Sequence, residues 1–409
     1  MNVPINSQQT SGELDVLFAN QGKIEAGEGA CFSVANIGTD KLLYVISADN
    51  NSVRINQARA DGSDDPVFTS FDWSFLKTGN CAASSILIQP DGKFLVVGEV
   101  GPSFGRLAAI SRFNSSGSSD LVFGTKNFPL PVDPLPPGHS VVTDIAEGCI
   151  LADGVVLLVQ SFTEADSAGG TVDRVGVVRC YDTGGNPDLS FGVAGKLEVR
   201  FKGEYSQVED IAALPDGEFV LLGSIKRISD NQVHSRAVLA SYNRDGTPKT
   251  TFADKGVWEY DQESQFGRLA VSGNKIVMST MVGIANGEKR LAILRFERNG
   301  VLDPTFNNGA PRLVDLDPRY IVIGGVVVQA DEKIVVTGHS GARGSKMYCL
   351  RLLENGQPDT GFGNGGIAQR LEGRMRDCVI QNNTSRIIIA TDEHSSDGTP
   401  EAKVFGVLG

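Results

Sequence analysis

The chain has few of the residues and motifs on which common catalytic and metal sites depend. Four histidines and six cysteines occur in 409 residues, with no Cys-x-x-Cys pair and no Cys/His group at zinc spacing. His-Glu-x-x-His, Gly-x-Ser-x-Gly and Walker-type Gly-Lys-Ser/Thr are also absent. These absences argue against zinc hydrolases, serine hydrolases and P-loop nucleotidases. We predict that the scattered cysteines are buried, reduced thiols.

Positive charge and long hydrophobic runs are also scarce. The 37 basic residues are outnumbered by 49 acidic ones, giving a net charge of −12, and the basic residues form no block. This balance disfavours a nucleic-acid partner. The longest apolar stretches, such as Ile321–Val328, are too short to cross a bilayer, and residues 1–10 do not resemble a signal peptide. We therefore expect no membrane insertion, and a cytoplasmic protein or one exported without a classical signal peptide.

What the chain has in excess is glycine, at 48 of 409 residues, together with one phrase that recurs. The phrase begins with a turn that ends in Gly. After two further residues comes a position that is usually Asp, and after two more comes Phe. Its phenylalanines follow one another at gaps of 50, 55, 68, 61, 54 and 56 residues, and they are Phe18, Phe68, Phe123, Phe191, Phe252, Phe306 and Phe362. The fifth copy has Lys249 in place of Asp. Seven copies in phase indicate a repeat architecture.

Each repeat has the pattern of four short β-strands joined as a meander. In the stretch 208–246, two apolar runs flank the hairpin signal Pro215-Asp216-Gly217, and a third run follows a polar loop. A fourth run, around Trp258, comes after the Phe252 phrase. Because a twisted sheet that is apolar on both faces needs a neighbour on each side, seven such units predict a ring of blades. The fold class is therefore all-β, a seven-bladed β-propeller of four-stranded antiparallel blades.

The two ends of the chain predict how the ring closes. The sequence begins with the Phe18 phrase and a spare fourth strand, and it ends on a third strand, at 402–408. We expect the N-terminal strand to complete the last blade. The chain would then be one domain, 1–409, with residues 1–27 as the closing segment. Its approximate blade boundaries are 28–78, 79–134, 135–202, 203–262, 263–317, 318–373, and 374–409 joined by 1–27.

The motif Asp-x-x-Phe-Gly with a following Gly-Lys or Gly-Gly resembles the bacterial delta-60 repeat family, which is similar to NHL-type propellers. The resemblance covers nearly the whole chain, seven times. It implies the fold and no particular reaction, because propellers serve as enzymes, lectins and docking platforms alike.

A functional site is expected on the face that carries the second-to-third loops and the blade-to-blade connections. The stretches 127–139, 163–173, 226–235, 341–345 and 394–401 predict long, irregular loops there. Asp144, Asp210 and Asp377 lie near the start of innermost strands and would converge at the mouth of the central channel. Carboxylates in that arrangement would suit calcium, although they would also suit hydrogen bonds to backbone amides. No other cofactor is expected.

Further candidates lie in or beside the same loops. Arg174, Arg343, His339 and His394 would supply polar groups at the mouth, and Phe128 and Phe162 would form an exposed apolar patch for a partner. We expect a monomer that binds a protein or an extended ligand on this face, without catalysis. The alternatives are a propeller enzyme, such as a lactonase, glycosidase or sugar oxidase, or a saccharide-binding lectin, each with its site at the channel mouth.

The recurring phenylalanines carry a structural expectation. Each ring should be buried where the outer edge of one blade leads to the next. The Asp three residues earlier should accept backbone N–H groups and fix the turn. Trp73 and Trp258 lie on predicted outer strands, where packing between blades is expected.

Overall fold

The computed structural model describes residues 9–47, 51–76, 79–102, 105–130, 134–229, 232–283, 287–317, 320–341, 346–394 and 398–409. Seven antiparallel sheets follow one another around a central channel, and the innermost strands of successive sheets contact each other. The predicted all-β, seven-bladed propeller is therefore confirmed. Two short 3-10 turns, Phe201–Gly203 and Asn307–Gly309, are the helical elements of the described residues, and no helix among them is long and apolar enough to cross a membrane.

The strands are numbered along the chain from β1 (Lys23–Glu28). The first two blades consist of β2 (Ala30–Ile37), β3 (Lys41–Ser47), β4 (Val53–Ala58), β5 (Phe71–Trp73), and β6 (Cys81–Ile88), β7 (Phe94–Val100), β8 (Leu107–Phe113), β9 (Thr125–Asn127). The next two consist of β10 (Ser140–Thr143), β11 (Glu147–Ile150), β12 (Val156–Ala165), β13 (Thr171–Tyr181), β14 (Lys196–Val199), and β15 (Ser206–Ala213), β16 (Phe219–Ser229), β17 (Gln232–Tyr242), β18 (Val257–Glu259).

The last three blades consist of β19 (Ser264–Ser272), β20 (Lys275–Gly283), β21 (Lys289–Glu297), β22 (Arg312–Val314), then β23 (Ile321–Val328), β24 (Ile334–Ser340), β25 (Lys346–Leu352), β26 (Ile367–Glu372), and β27 (Arg374–Ile380), β28 (Ile387–His394), β29 (Pro400–Val407) with β1. The spare N-terminal strand closes the ring as expected, because β1 pairs antiparallel with β29, Lys23 facing Phe405 and Glu28 facing Glu401. Arg386 and Asp15 add a salt bridge of 2.6 Å to this junction.

Two of the predicted long loops are instead extended hairpins. The stretches 163–173 and 226–235 continue the strand pairs β12–β13 and β16–β17, which end at Ala165 with Thr171 and at Ser229 with Gln232. The expectation of irregular loops is wrong here. β-Branched residues near the first of these turns, such as Thr163 and Thr171, favour extended backbone, and both are paired in the β12–β13 ladder. Blades 3 and 4 therefore project ribbons from the face with the blade-to-blade connections.

The recurring phenylalanine fills the seam between blades, as predicted. All seven rings are buried, with exposed fractions from 0 to 7%. In six seams the ring covers a turn glycine of the following blade, so closely that a Cβ there would lie within about 3 Å of it. The glycines are Gly62, Gly117, Gly185, Gly246, Gly300 and Gly356. Their φ values, from 79° to 88°, are in the left-handed region.

The aspartate of the phrase fixes the turn, also as predicted. In six copies one carboxylate oxygen accepts the N–H of the residue two positions on, as in Val122 to Asp120 at 3.0 Å. The other oxygen pairs with a basic side chain, as in Arg112 to Asp120 at 3.0 Å. The Arg112 guanidinium also lies 4.6 Å from the centre of the Phe123 ring. In the fifth copy Lys249 pairs with Glu218 instead.

The innermost strand of each blade is kinked at one level of the channel. Six of these strands carry a one-residue register shift, for example between Val208 and Asp210, and the innermost strand of blade 3 is interrupted between β10 and β11. A bulge bends the strand and leaves an extra residue unpaired. Residues at and beside these kinks, among them Ser85, Asp210, Arg268 and Asp377, line one small space in the channel, which we call the waist.

Candidate ligand site at the channel mouth

A cavity of about 400 Å³ opens at the channel mouth on the face with the blade-to-blade connections, between blades 3 and 6. One part of its wall is apolar, namely Ile145, Val208, Phe266, Met281, Tyr320 and Ile321–Ile323. The other part is polar and is formed by Asp144, Glu147, Gln207, Glu209, Gln265, Arg268 and Lys289. A cavity of this size with a few convergent polar groups has the character of a small-molecule site.

Below the cavity the waist narrows to a polar space of about 180 Å³. Arg268 spans this space from blade 5. One guanidinium nitrogen lies 3.3 Å from Glu147 Oε1 of blade 3, and the group also donates to the carbonyl oxygens of Glu209 and Gly324, on the blades to either side. Arg268 is thus the floor of the mouth cavity. Beyond the waist, aliphatic side chains such as Ile88, Val271 and Val328 line the opposite end.

Asp210 and Asp377 occupy equivalent positions at the waist and accept equivalent hydrogen bonds. Asp210 accepts the N–H of Ile211 at 2.8 Å and that of Leu269, on the next blade, at 2.7 Å. Asp377 accepts the N–H of Cys378 at 2.8 Å, and Val34 N–H and Ser33 Oγ on blade 1 at 3.1 and 2.7 Å. Burial raises the pKa of both carboxyls despite these bonds. Both residues therefore join adjacent blades.

The carboxyl groups nearer the mouth are harder to ionise than usual. Burial raises the pKa of Asp144 to about 6, although Arg174, Lys226 and a hydrogen bond from Gln207 oppose the shift. Burial also raises the pKa of Glu147 well above its usual range, against the attraction of Arg268. Several acids share a low-dielectric channel with few cations, so each disfavours the ionisation of the next.

Glu209 and Phe266 meet at the bulges of blades 4 and 5. Glu209 Oε1 accepts from Ser224 Oγ at 3.0 Å, whereas Oε2 is buried and has no hydrogen-bond partner in the described part of the chain. Burial raises the pKa of Glu209, while the Phe266 N–H favours its ionised form. Phe266 holds a left-handed φ of 55° and leaves 51% of its surface exposed at the mouth. A left-handed φ is unfavourable for a bulky residue, and strain of this kind is enriched at functional sites.

The structure brings together part of the predicted set. Asp144 and Arg174 lie close enough for the guanidinium to lower the carboxyl pKa, and Asp210 and Asp377 are in the channel below them. His339 is buried, and burial together with Arg376 and Arg374 lowers its pKa to about 4, so it is neutral near pH 7. His394 is exposed at the end of β28. Arg343 lies outside the described residues.

The predicted apolar patch is wrong. Phe128 and Phe162 are 2% and 3% exposed, because Phe128 packs against Tyr181 in the seam between blades 2 and 3 and Phe162 packs against Val175 and Val177. Trp73 packs edge-on against Phe113 and donates to Ser111, and Trp258 packs edge-on against Phe296. None of the six cysteines, all within the described residues, forms a disulfide bond, and five of them are buried.

The convergence expected for calcium is not formed. Among the described residues, no three His, Cys, Asp or Glu side chains come together in a way that would hold a metal ion. The residues missed by sequence reasoning are Glu147, Glu209, Arg268 and Phe266. An alignment of the repeats could have found them. Each lies at, or within two positions of, the place in its own repeat that corresponds to Asp210 or Asp377.

Comparison with known proteins gives the fold. The family described as "Domain of unknown function (DUF5122) beta-propeller" matches residues 276–306 and 329–362, which supports a propeller repeat family. No curated protein matches the sequence. A protein of unknown function from Dyadobacter fermentans DSM 18053 is similar in structure, with a TM-score of 0.50 and 7% identity over 95% of this chain and 100% of that one.

Two enzymes of known structure are also similar. The GH93 α-L-arabinofuranosidase of Fusarium graminearum has a TM-score of 0.47 and 11% identity, over 95% of this chain and 99% of that one. The polysaccharide lyase Uly1 has a TM-score of 0.47 and 10% identity, over 96% and 92%. At such identities the likeness concerns the fold, and the activities belong to those proteins.

Proposed function

We propose that this protein is a non-catalytic binding module, and that its ligand occupies the mouth cavity on the face with the blade-to-blade connections. The ligand would be a small molecule or the end of an extended one. The observation that carries the proposal is the cavity itself, which acidic residues from two blades line together with the half-exposed Phe266 and Tyr320. The burial of Phe128 and Phe162 removes the side chains that favoured a broad protein-docking patch.

The surroundings of the cavity support a binding role. Inner strands held by seven buried Phe seams give a rigid wall, so little ordering entropy is lost when a ligand enters. The half-exposed rings of Phe266 and Tyr320 offer an apolar surface, while Gln207 and Gln265 offer amide groups. Apolar contact supplies affinity at such a site, and a few placed polar groups supply orientation.

The test uses a double variant that strips the apolar wall, Phe266→Ala with Tyr320→Ala. Its matched control is Leu17→Ala with Leu121→Ala, at two side chains that are 81% and 90% exposed in the recurring phrase, away from the mouth. Native mass spectrometry with a library of small metabolites should show ligands that bind the wild type and the control. The same ligands should bind the cavity variant at least tenfold more weakly. Ligands that bind all three proteins equally would contradict the proposal.

A second candidate is hydrolysis of a glycosidic bond by acid–base catalysis. One observation favours it, namely the raised pKa values of Asp144 and Glu147 in one cavity, because such enzymes pair a protonated with an ionised carboxyl group. Any bound saccharide should then be turned over by the wild type and not by Asp144→Asn. A bound saccharide that is recovered intact after long incubation would exclude this candidate.

A further inference from the structure

Resting on the proposed function, we infer that the ligand of the mouth cavity carries a positively charged nitrogen, as an amine does, and that this group binds between the Glu209 carboxylate and the Phe266 and Tyr320 rings. The inference concerns the chemical class of the ligand. It depends on an acceptor atom without a partner, on how the nearby cations are engaged, and on the aromatic rim.

The acceptor is Glu209 Oε2. A buried carboxylate oxygen without a hydrogen bond costs about 1–3 kcal/mol or more, so proteins rarely leave one unpaired. The other oxygen of Glu209 is held by Ser224 at 3.0 Å, which fixes the direction of the group. Because Glu209 also lines the mouth cavity, a donor on a ligand in the cavity would approach this carboxyl group beside the Phe266 N–H and could pair with Oε2 after a small shift of the side chain.

The basic side chains that the structure describes do not supply that donor. Lys226 is close enough to attract Glu209, but its ammonium donates to Ser235 Oγ at 2.8 Å and forms no salt bridge with Glu209. The guanidinium of Arg268 is directed at Glu147 and at three backbone carbonyl oxygens, one of them that of Glu209 itself. Lys289 is the other basic residue of the lining. It belongs to β21, the third strand of its blade, whereas the acidic residues lie on the inner wall of the channel.

Among the described residues, therefore, no basic side chain forms a salt bridge with Glu209, and the acids around it outnumber the acids that are paired. Asp144 is attracted by Arg174 and Lys226, and Glu209 lies near Asp144. Glu147 faces Arg268, but it also faces Asp210, Asp377 and Glu99. A cation that entered this low-dielectric space would favour the ionised form of these carboxyl groups and would be attracted by it. An ammonium group would also face the half-exposed rings of Phe266 and Tyr320, and aromatic faces attract cations.

The test uses three probes of similar shape that differ in charge: benzylamine, benzyl alcohol and benzoate. Their affinities for the full chain are measured by ligand-observed NMR titration at pH 7.5. We expect benzylamine to bind at least tenfold more tightly than benzyl alcohol, with benzoate weaker than both. Because a bound cation favours the ionised form of the nearby carboxyls, calorimetry in two buffers at pH 6.5 should detect proton release with benzylamine.

Two variants locate the effect. Glu209→Gln should abolish the preference for benzylamine while the alcohol still binds, and the matched control Glu354→Gln, at an exposed carboxyl on a distant turn, should keep it. Phe266→Leu keeps an apolar side chain and should weaken benzylamine more than the alcohol. This second variant keeps the test decisive if Glu209→Gln fails to fold.

The outcomes separate the two proposals. If the alcohol or benzoate binds as tightly as benzylamine, and the Phe266→Ala/Tyr320→Ala variant loses that binding, the inference about charge is overturned and the binding site stands. If benzylamine is preferred but Glu209→Gln and Phe266→Leu bind it as the wild type does, the inference is also overturned. If none of the probes binds in the cavity, the inference fails and the proposed function loses its support.

Discussion

Replacing Phe18 by alanine tests the seams and the ring closure together. The ring is fully buried, in a cluster with Cys31, Leu42 and Ile388 that joins the last blade to the first. It also covers the turn at Gly62, where an added Cβ would lie 2.9 Å from the Phe18 ring. The residue stands between Asp15, which binds Arg386, and strand β1, which completes the last blade. Its loss therefore opens a cavity at the seam beside the last blade, where the pairing of β1 with β29 closes the ring without a peptide bond.

The magnitude follows from that burial. Truncating a buried Phe to Ala removes its transfer free energy and leaves a cavity, at a total cost of about 3–5 kcal/mol. The guanidinium of Arg386, 5.2 Å from the ring centre, would lose its aromatic contact as well. We expect the upper half of this range, because Gly62 has no side chain that could move into the space.

The assay is urea denaturation followed by far-ultraviolet circular dichroism, with hydrogen exchange of the β1 amides as a second readout. The matched control is Leu17→Ala, one position away and 81% exposed, which should change the free energy of unfolding by less than about 0.5 kcal/mol. Phe18→Ala should also speed exchange in Lys23–Glu28. If both variants unfold at the same urea concentration, the assignment of the phrase to interblade packing is refuted.

Three further predictions concern closure, a turn glycine and a buried acid. Deleting residues 1–27 should sharply lower the melting temperature, and an unchanged melt would rule out closure through β1. Gly185→Ala should destabilise by more than about 1 kcal/mol in urea, because its φ is 84° and a Cβ would lie 2.6 Å from the Phe123 ring; Gly169→Ala, in open space at φ 82°, is the control for strain alone. Burial raises the pKa of Glu99 to about 7, so its ionisation opposes folding as the pH rises above about 5. Glu99→Gln should therefore be more stable than the wild type by roughly 1–3 kcal/mol near pH 9 and equal to it near pH 4, and a constant difference would contradict the shift.

The architecture could be predicted because the seams between blades are packed in the same way around the ring. Each Phe needs the same cavity, each Asp stabilises the same turn, and the turn glycine of the next blade must be small beneath the ring. Each of these requirements falls on a fixed position of the repeat, so the same residue type recurs in the sequence with the period of the blades. The phase of the two chain ends then fixed the pairing of β1 with β29.

The blade 3 inner strand and the long ribbons escaped prediction for a different reason. The break between Thr143 and Glu147 and the extension of β12 to Ala165 depend on which neighbouring backbone groups are available for pairing. The burial of Phe128 and Phe162 depends on Tyr181 and Val175, residues on another strand that the repeat does not specify. Sequence spacing carries no information on such contacts.

The site was only half predictable, because one position of the repeat serves two purposes. Ser33, Asp210 and Asp377 lie just after the bulge and accept an N–H of the next blade, from Ile86, Leu269 and Val34. An acid there is explained by the seam alone, although its place in the channel makes it look functional. A ligand requires groups that the repeat leaves unused. Glu209 lies one residue earlier, on the bulge, and has no partner in the ladder. One of its oxygens accepts from Ser224, the other has no hydrogen-bond partner in the described residues, and the residue lines the mouth cavity. In a propeller of this kind, function is therefore better sought at bulged residues than at the recurring polar positions beside them.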